Sequence, residues 1–274
     1  MQIRRDDIVA ALLERLPASD LREQWLHPEG TRTRHFVADR VLPEPWAEAI
    51  HGAFPVDGRG FGRNESLKER KSVSGSLDLL PPLLAEVTYA FQDPRVVQRI
   101  AAITGIEGLE PDPMLYAGGL SMMFKGDFLN PHIDNSHDLR RRRYRRLNLL
   151  YYATPGWRLE DGGNFELWDE AGEVPKTIVA MANRLVVMNT DRHSLHSVSP
   201  VGSDRARTCV SNYYFSRQSS TGDAYFHVTS FWGRPGQPLL RLLGTVDNFA
   251  RNLAGRLGLG RGRRRVNVPG ADDR

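Results

Sequence analysis

Apolar residues fall into two textures along the chain. Before about residue 110 they recur at helical spacing. Ile8, Leu12, Leu13 and Leu16 share one face, predicting a helix over 6–16 that Pro17 ends. His35 to Val41 reads as a short strand, and Pro43-Glu44-Pro45 opens a helix to about Phe54. The stretch 55–75 is rich in Gly, Ser, Asn and charge and reads as an exposed loop. Two more helices are predicted over 79–91 and 94–104. The second has Asp93 as N-cap and Pro94 at its first helical position.

From about Met114 the pattern changes to short strands, over 115–124, 146–153, 163–168, 176–180, 184–188 and 207–215, separated by loops rich in Gly, Asn and Asp. Helices followed by many short strands predict an α+β chain with helices packed on an antiparallel β sandwich or barrel. Residues 1–110 are expected to support the same domain whose core spans 111–218, with 219–274 as a C-terminal extension. In that extension Leu239, Leu240, Leu242, Leu243, Val246, Phe249, Ala250 and Leu253 recur at near-helical spacing before a basic, flexible tail.

Composition narrows the class. A hydrophobic content of 40% with 26% charged residues is that of an ordinary globular protein. The net charge of +4 is concentrated in two runs, Arg140 to Arg146 (RRRRYRR) and Arg261 to Arg265 (RGRRR). A local anionic partner fits this better than a general polyanion, and no aromatic platform supports nucleic-acid binding. The lone Cys209 excludes an internal disulfide and fits a reducing compartment. The start, MQIRRDDIVAALLERL, lacks the unbroken apolar stretch of a secretory signal, so a cytoplasmic location is expected. The C-terminal helix is expected to pack on the barrel; its arginines also permit peripheral contact with an anionic membrane. No oligomeric state is specified by the pattern.

The chemistry centres on Asn130-Pro131-His132-Ile133-Asp134-Asn135. Two residues two apart on a strand point to one face, so an imidazole nitrogen and a carboxylate oxygen can bind one metal. A distant histidine would complete a two-histidine, one-carboxylate facial set with open positions, as non-haem iron(II) oxygenases require. His193 and His196 both lie in His193-Ser194-Leu195-His196-Ser197-Val198-Ser199-Pro200-Val201, just after the apolar strand Arg184 to Met188. Arg205-Ala206-Arg207 then opens a strand ending in Tyr213-Tyr214-Phe215.

This order resembles the prolyl-4-hydroxylase-like Fe(II)/2-oxoglutarate-dependent oxygenases. Further shared features are Leu147-Asn148-Leu149-Leu150-Tyr151-Tyr152, Trp157, Gly162–Gly163 before Phe165-Glu166-Leu167-Trp168, and Asn183 to Val187. The likeness is strong over about 114–216. It implies a double-stranded β-helix (jelly roll) with His132, Asp134 and His196 as metal ligands, the Val-x-Pro-Val continuation favouring His196 over His193. It also implies that 2-oxoglutarate is held through its far carboxylate by Arg207, with Arg205 as the alternate and Tyr152 and Asn148 assisting. A planar guanidinium suits a bidentate carboxylate pair.

The implied cofactors are Fe(II), 2-oxoglutarate and O2, with ascorbate as a supporting reductant. The implied reaction oxidises a substrate C–H, hydroxylation being the usual outcome, with succinate and CO2 as co-products. A carboxylate at Asp134 argues against halogenation, which needs a small residue there. The arginine run follows the ligands closely, so Arg140 and Arg143 are candidates for contacting an anionic group on a small-molecule, glycan-linked or peptidyl substrate. The alternative from another class is a non-catalytic binding protein on the same fold, docking on an anionic membrane, glycan or RNA through its arginine clusters.

Overall fold

The computed structural model describes residues 2–116, 118–169 and 174–238. The C-terminal helix and arginine tail expected beyond Pro238 lie outside the described residues. The N-terminal half supplies α1 (Arg5–Arg15), α2 (Ala18–Leu26), β1 (His35–Asp39), α3 (Glu44–Gly52), the hairpin β2 (Gly62–Glu65) and β3 (Glu69–Ser74), α4 (Pro82–Ala90) and α5 (Pro94–Thr104). The strands β4 (Glu110–Pro111), β5 (Gly119–Met123), β6 (Phe128–Ile133), β7 (Tyr144–Tyr152), β8 (Phe165–Trp168), β9 (Lys176–Ile178), β10 (Arg184–Asn189), β11 (Leu195–Val198), β12 (Arg207–Ser216) and β13 (Ser230–Phe231) follow. Among the described residues no helix is long and apolar enough to cross a membrane.

Local chemistry explains the helix limits. Asp93 caps α5 by accepting from the Arg95 amide at 2.9 Å, Pro94 opens the helix, and Gly105 closes it at φ 69°. The residues 18–26, unassigned from sequence, form α2, which buries only Leu21 and Trp25. The stretch expected to be an exposed loop, 55–75, instead contains the β2–β3 hairpin, and β3 pairs with both β5 and β6.

All the strand pairs are antiparallel and run β1-β10-β7-β12-β5-β3-β6-β11-β8-β9. The sheet curls into a jelly roll because alternate residues serve two cores. Outward residues such as Leu147, Leu149, Tyr151, Val210 and Tyr214 pack with Ile8, Leu12, Leu84, Val87 and Ile100 from the helices. Inward residues such as Leu150, Tyr152, Val186, Met188 and Cys209 meet Phe165, Leu167 and Val198 from the opposing strands. Residues on this inward face also line the cavity.

The β7–β12 ladder is regular from Cys209↔Tyr152 to Tyr214↔Leu147, then resumes at Phe215↔Arg145. Arg146 is thus one residue too many on β7, a β-bulge. Its effect is to turn Arg145 to the inside.

Candidate active site

The cavity inside the curl has a volume of about 380 Å³. His132 on β6 and His196 on β11 lie directly opposite each other in the ladder, with ring centroids 4.1 Å apart. Asp134 stands one residue beyond the end of β6 and faces both. Its Oδ1 is 3.7 Å from His132 Nε2 and its Oδ2 is 3.7 Å from His196 Nε2. One ligand atom from each of the three lies within 4.8 Å of the others.

The ring nitrogens are sorted by the backbone. His132 Nδ1 donates to the Asn130 carbonyl at 3.0 Å, and His196 Nδ1 to the Ser194 carbonyl at 2.9 Å. Each imidazole therefore presents an Nε2 lone pair to the common centre, as a metal ligand must. Phe231 of β13 stacks on His132 at 5.2 Å and holds its plane. Burial pushes both imidazoles below their ordinary pKa, keeping them neutral. Burial alone would raise the Asp134 carboxyl, but Arg145, with the two histidines, holds it well below the usual carboxylate range. Two neutral nitrogens and one carboxylate are a donor set suited to a divalent iron.

Arg145 is the residue that sequence reasoning did not single out. Its guanidinium is buried, with Nη1 3.0 Å from Asp134 Oδ2 and Nη2 donating to Asn135 Oδ1 at 2.7 Å. It also lies over the Tyr213 ring at 4.1 Å.

Arg207 opens β12 and is buried in the same cavity, over the Tyr152 ring at 4.7 Å. Among the described residues its Nη1 donates to the Met123 sulfur at 3.4 Å and its Nε has no hydrogen-bond partner. Asn148 lines the cavity on the neighbouring strand, its Oδ1 also without a partner. Burial pushes the Tyr152 phenol far above its ordinary pKa despite Arg207 beside it, so it stays a neutral donor. Gly163 makes room for this arginine, since a Cβ there would stand 2.9 Å from Arg207 Cδ.

Other candidates lie elsewhere. Arg205 points away, donating to the Pro155 and Gly156 carbonyls and pairing with Asp161 at 3.2 Å. Arg143 pairs with Asp138 at 3.0 Å and Glu110 at 2.9 Å. Arg140 stands in solvent at the turn before β7; neither residue lines the cavity. His193 is exposed on the loop before β11. Trp157 and Trp168 are packing residues, with indole N–H bonds to the Gly162 carbonyl and Ser197 Oγ, each 2.8 Å.

Residues 118–215 match the family model of the 2OG-Fe(II) oxygenase superfamily. Over these residues the barrel is similar to a 2OG-Fe(II) oxygenase core. The matched segment contains His132, Asp134, His196 and Arg207. Iron(II), 2-oxoglutarate and O2 follow as the cofactor and co-substrates of such an oxygenase, a 2-oxoglutarate-dependent dioxygenase.

Solved structures share the oxygenase fold at low identity. A Pseudomonas putida prolyl-4-hydroxylase is 17% identical, with a TM-score of 0.52, covering 73% of this chain and 99% of its own. A Trichoplax adhaerens prolyl hydroxylase, in complex with a hypoxia-inducible factor peptide fragment, is 17% identical with a TM-score of 0.55 over 75% of this chain and 92% of its own. Prolyl 4-hydroxylase from Phytophthora capsici is 17% identical with a TM-score of 0.56, over 94% of this chain and 79% of its own. No curated protein sequence matches the chain.

Proposed function

We propose that this oxygenase hydroxylates an unactivated C–H of a small-molecule, glycan-linked or peptidyl substrate, with His132, Asp134 and His196 holding iron and Arg207 holding 2-oxoglutarate. The observation that carries this reading is the convergence in one cavity of the three ligands and a buried arginine that, among the described residues, pairs with no carboxylate. A buried guanidinium without a carboxylate is costly, so its site calls for an anionic ligand. Iron bound here supplies the means of coupling O2 and 2-oxoglutarate decarboxylation to C–H oxidation.

The protein's own groups set the geometry. The Asn130 and Ser194 carbonyls aim the two imidazoles, while Arg145 secures one carboxylate oxygen of Asp134 and leaves Oδ1 turned to the centre. Arg207, with the Tyr152 hydroxyl and Asn148 amide nearby, forms the anchor for the far carboxylate of the co-substrate. At the mouth, Lys71 pairs with Glu69 at 2.9 Å and Arg63 forms a two-pronged pair with Asp127, both bonds 2.6 Å. These paired charges and the Tyr116 and Tyr213 rings give the substrate a polar entrance with aromatic walls.

The test is anaerobic titration with Fe(II) and 2-oxoglutarate, following the visible charge-transfer band of the chelated complex. The band is expected in the wild type and absent in His132→Ala. Folded, iron-loaded wild type without a band would refute the ligand assignment. Coupled formation of succinate and a hydroxylated product then tests the reaction across a substrate panel.

A further inference from the structure

A second cavity, of about 410 Å³, lies on the helix side of the sheet, on the opposite face of β7 from the iron site. Trp25 of α2, Ile106 after α5 and Arg146 of the bulge line its inner part, while the exposed Arg32, Arg34 and His193 stand at its rim. Two acids, Asp169 and Asp191, also line it, with three of their four carboxylate oxygens engaged. Asp169 Oδ1 accepts from the Thr31 hydroxyl and the Arg32 amide. Asp191 accepts from the Asn189 side chain and the His193 amide, both at 2.7 Å.

The cations are in the opposite condition. Among the described residues the Arg32 and Arg34 guanidiniums form no hydrogen bond or ion pair, and Arg146 forms no ion pair. Arg146 is half-buried; its Nη1 donates to the Gln218 carbonyl at 3.0 Å and its Nε has no partner. The indole N–H of the buried Trp25 is likewise unpartnered. Buried donors without acceptors are rare in native proteins and each costs about 1–3 kcal/mol. Here three guanidiniums, one of them carrying such a donor, line one space with a histidine and the Trp25 indole.

We propose that this cavity is a second anion site, built for a phosphate group, free or carried on a small molecule. The Arg146 guanidinium would serve as its floor, beside the Trp25 indole, and Arg32 and Arg34 as its clamp. Donors converging from several directions suit a tetrahedral oxyanion better than a planar carboxylate. The space exceeds what phosphate alone would fill, which favours a phosphate ester.

Isothermal titration of the protein with inorganic phosphate and with glycerol phosphate tests this. It is run at fixed ionic strength and with saturating 2-oxoglutarate, so that the Arg207 pocket is filled. Binding is expected in wild type and in Arg207→Gln. It should weaken roughly tenfold or more in Arg32→Gln/Arg34→Gln, whose side chains are exposed and whose replacement leaves the core intact. Tighter binding of the ester identifies a carried phosphate, and equal binding a free one. Two results overturn the proposal: no binding of either probe to wild type, or equal affinity in the Arg32→Gln/Arg34→Gln variant.

Discussion

Arg145 Nη1 lies 3.0 Å from Asp134 Oδ2, so the carboxylate that faces the two histidines is itself held by a buried cation. Arg145→Met should lower Fe(II) affinity by about 10–100-fold, the usual range for a lost partner of a metal ligand. Anaerobic iron titration measures this, and the band of the 2-oxoglutarate complex should shift in energy. An unchanged affinity and band would make Arg145 a packing residue only.

Arg207 and Arg205, two apart in sequence, are separated by the fold into cavity and surface. Arg207→Gln should raise KM for 2-oxoglutarate by roughly 10–100-fold, since a charge-assisted hydrogen bond is worth about 1.5–3 kcal/mol. Arg205→Gln should leave that KM unchanged, because its partners are Asp161 and two surface carbonyls. Steady-state kinetics on both variants separates the two roles.

Gly163 adopts φ +60°, and any side chain there would press on Arg207 Cδ and Val201 Cγ2, each 2.9 Å from an added Cβ. Gly163→Ala should therefore raise KM for 2-oxoglutarate several-fold while the protein stays folded, at a stability cost of about 1–2 kcal/mol for a left-handed alanine. Circular dichroism melts and kinetics together check both halves.

His35 contributes a pH dependence of stability away from the iron site. Burial pushes its pKa below the ordinary value, despite its bond to the Thr33 carbonyl at 2.9 Å. The unfolded chain therefore binds the extra proton first. The stabilisation is complete above the unfolded value of 6.5 and is lost as pH falls towards the folded one. The loss is at most about 1.4 kcal/mol per pH unit. Urea melts between pH 7.5 and 5 should show a shallower fall for His35→Gln than for wild type.

Much of this site could be read from residue order. His132, Asp134, His196 and Arg207 carry distinctive side chains at distinctive spacings, and the period-two pattern around Asn148 and Tyr152 marks the inward face of a strand. The β2–β3 hairpin was illegible for a physical reason. Glu69 and Lys71 line a polar cavity, so β3 shows the charge of a loop in place of alternating apolar residues. Arg145 was hidden differently. Counting back by twos from Asn148 puts Arg146 inside and Arg145 outside, and no residue type announces the bulge that reverses them. The helix α2 escaped because two buried residues, Leu21 and Trp25, make too short a stripe to detect.

The bulge acts as a one-letter frameshift in the in–out code of β7. Substitutions within Arg140 to Arg143 leave that frame intact and so leave Arg145 aimed at Asp134. Deleting Arg146 would restore a regular ladder with Arg145 still opposite Phe215, and would remove the arginine that lines the cavity behind the sheet. In this strand the count of residues, as much as their identity, decides which arginine serves the iron site and which serves the cavity behind it.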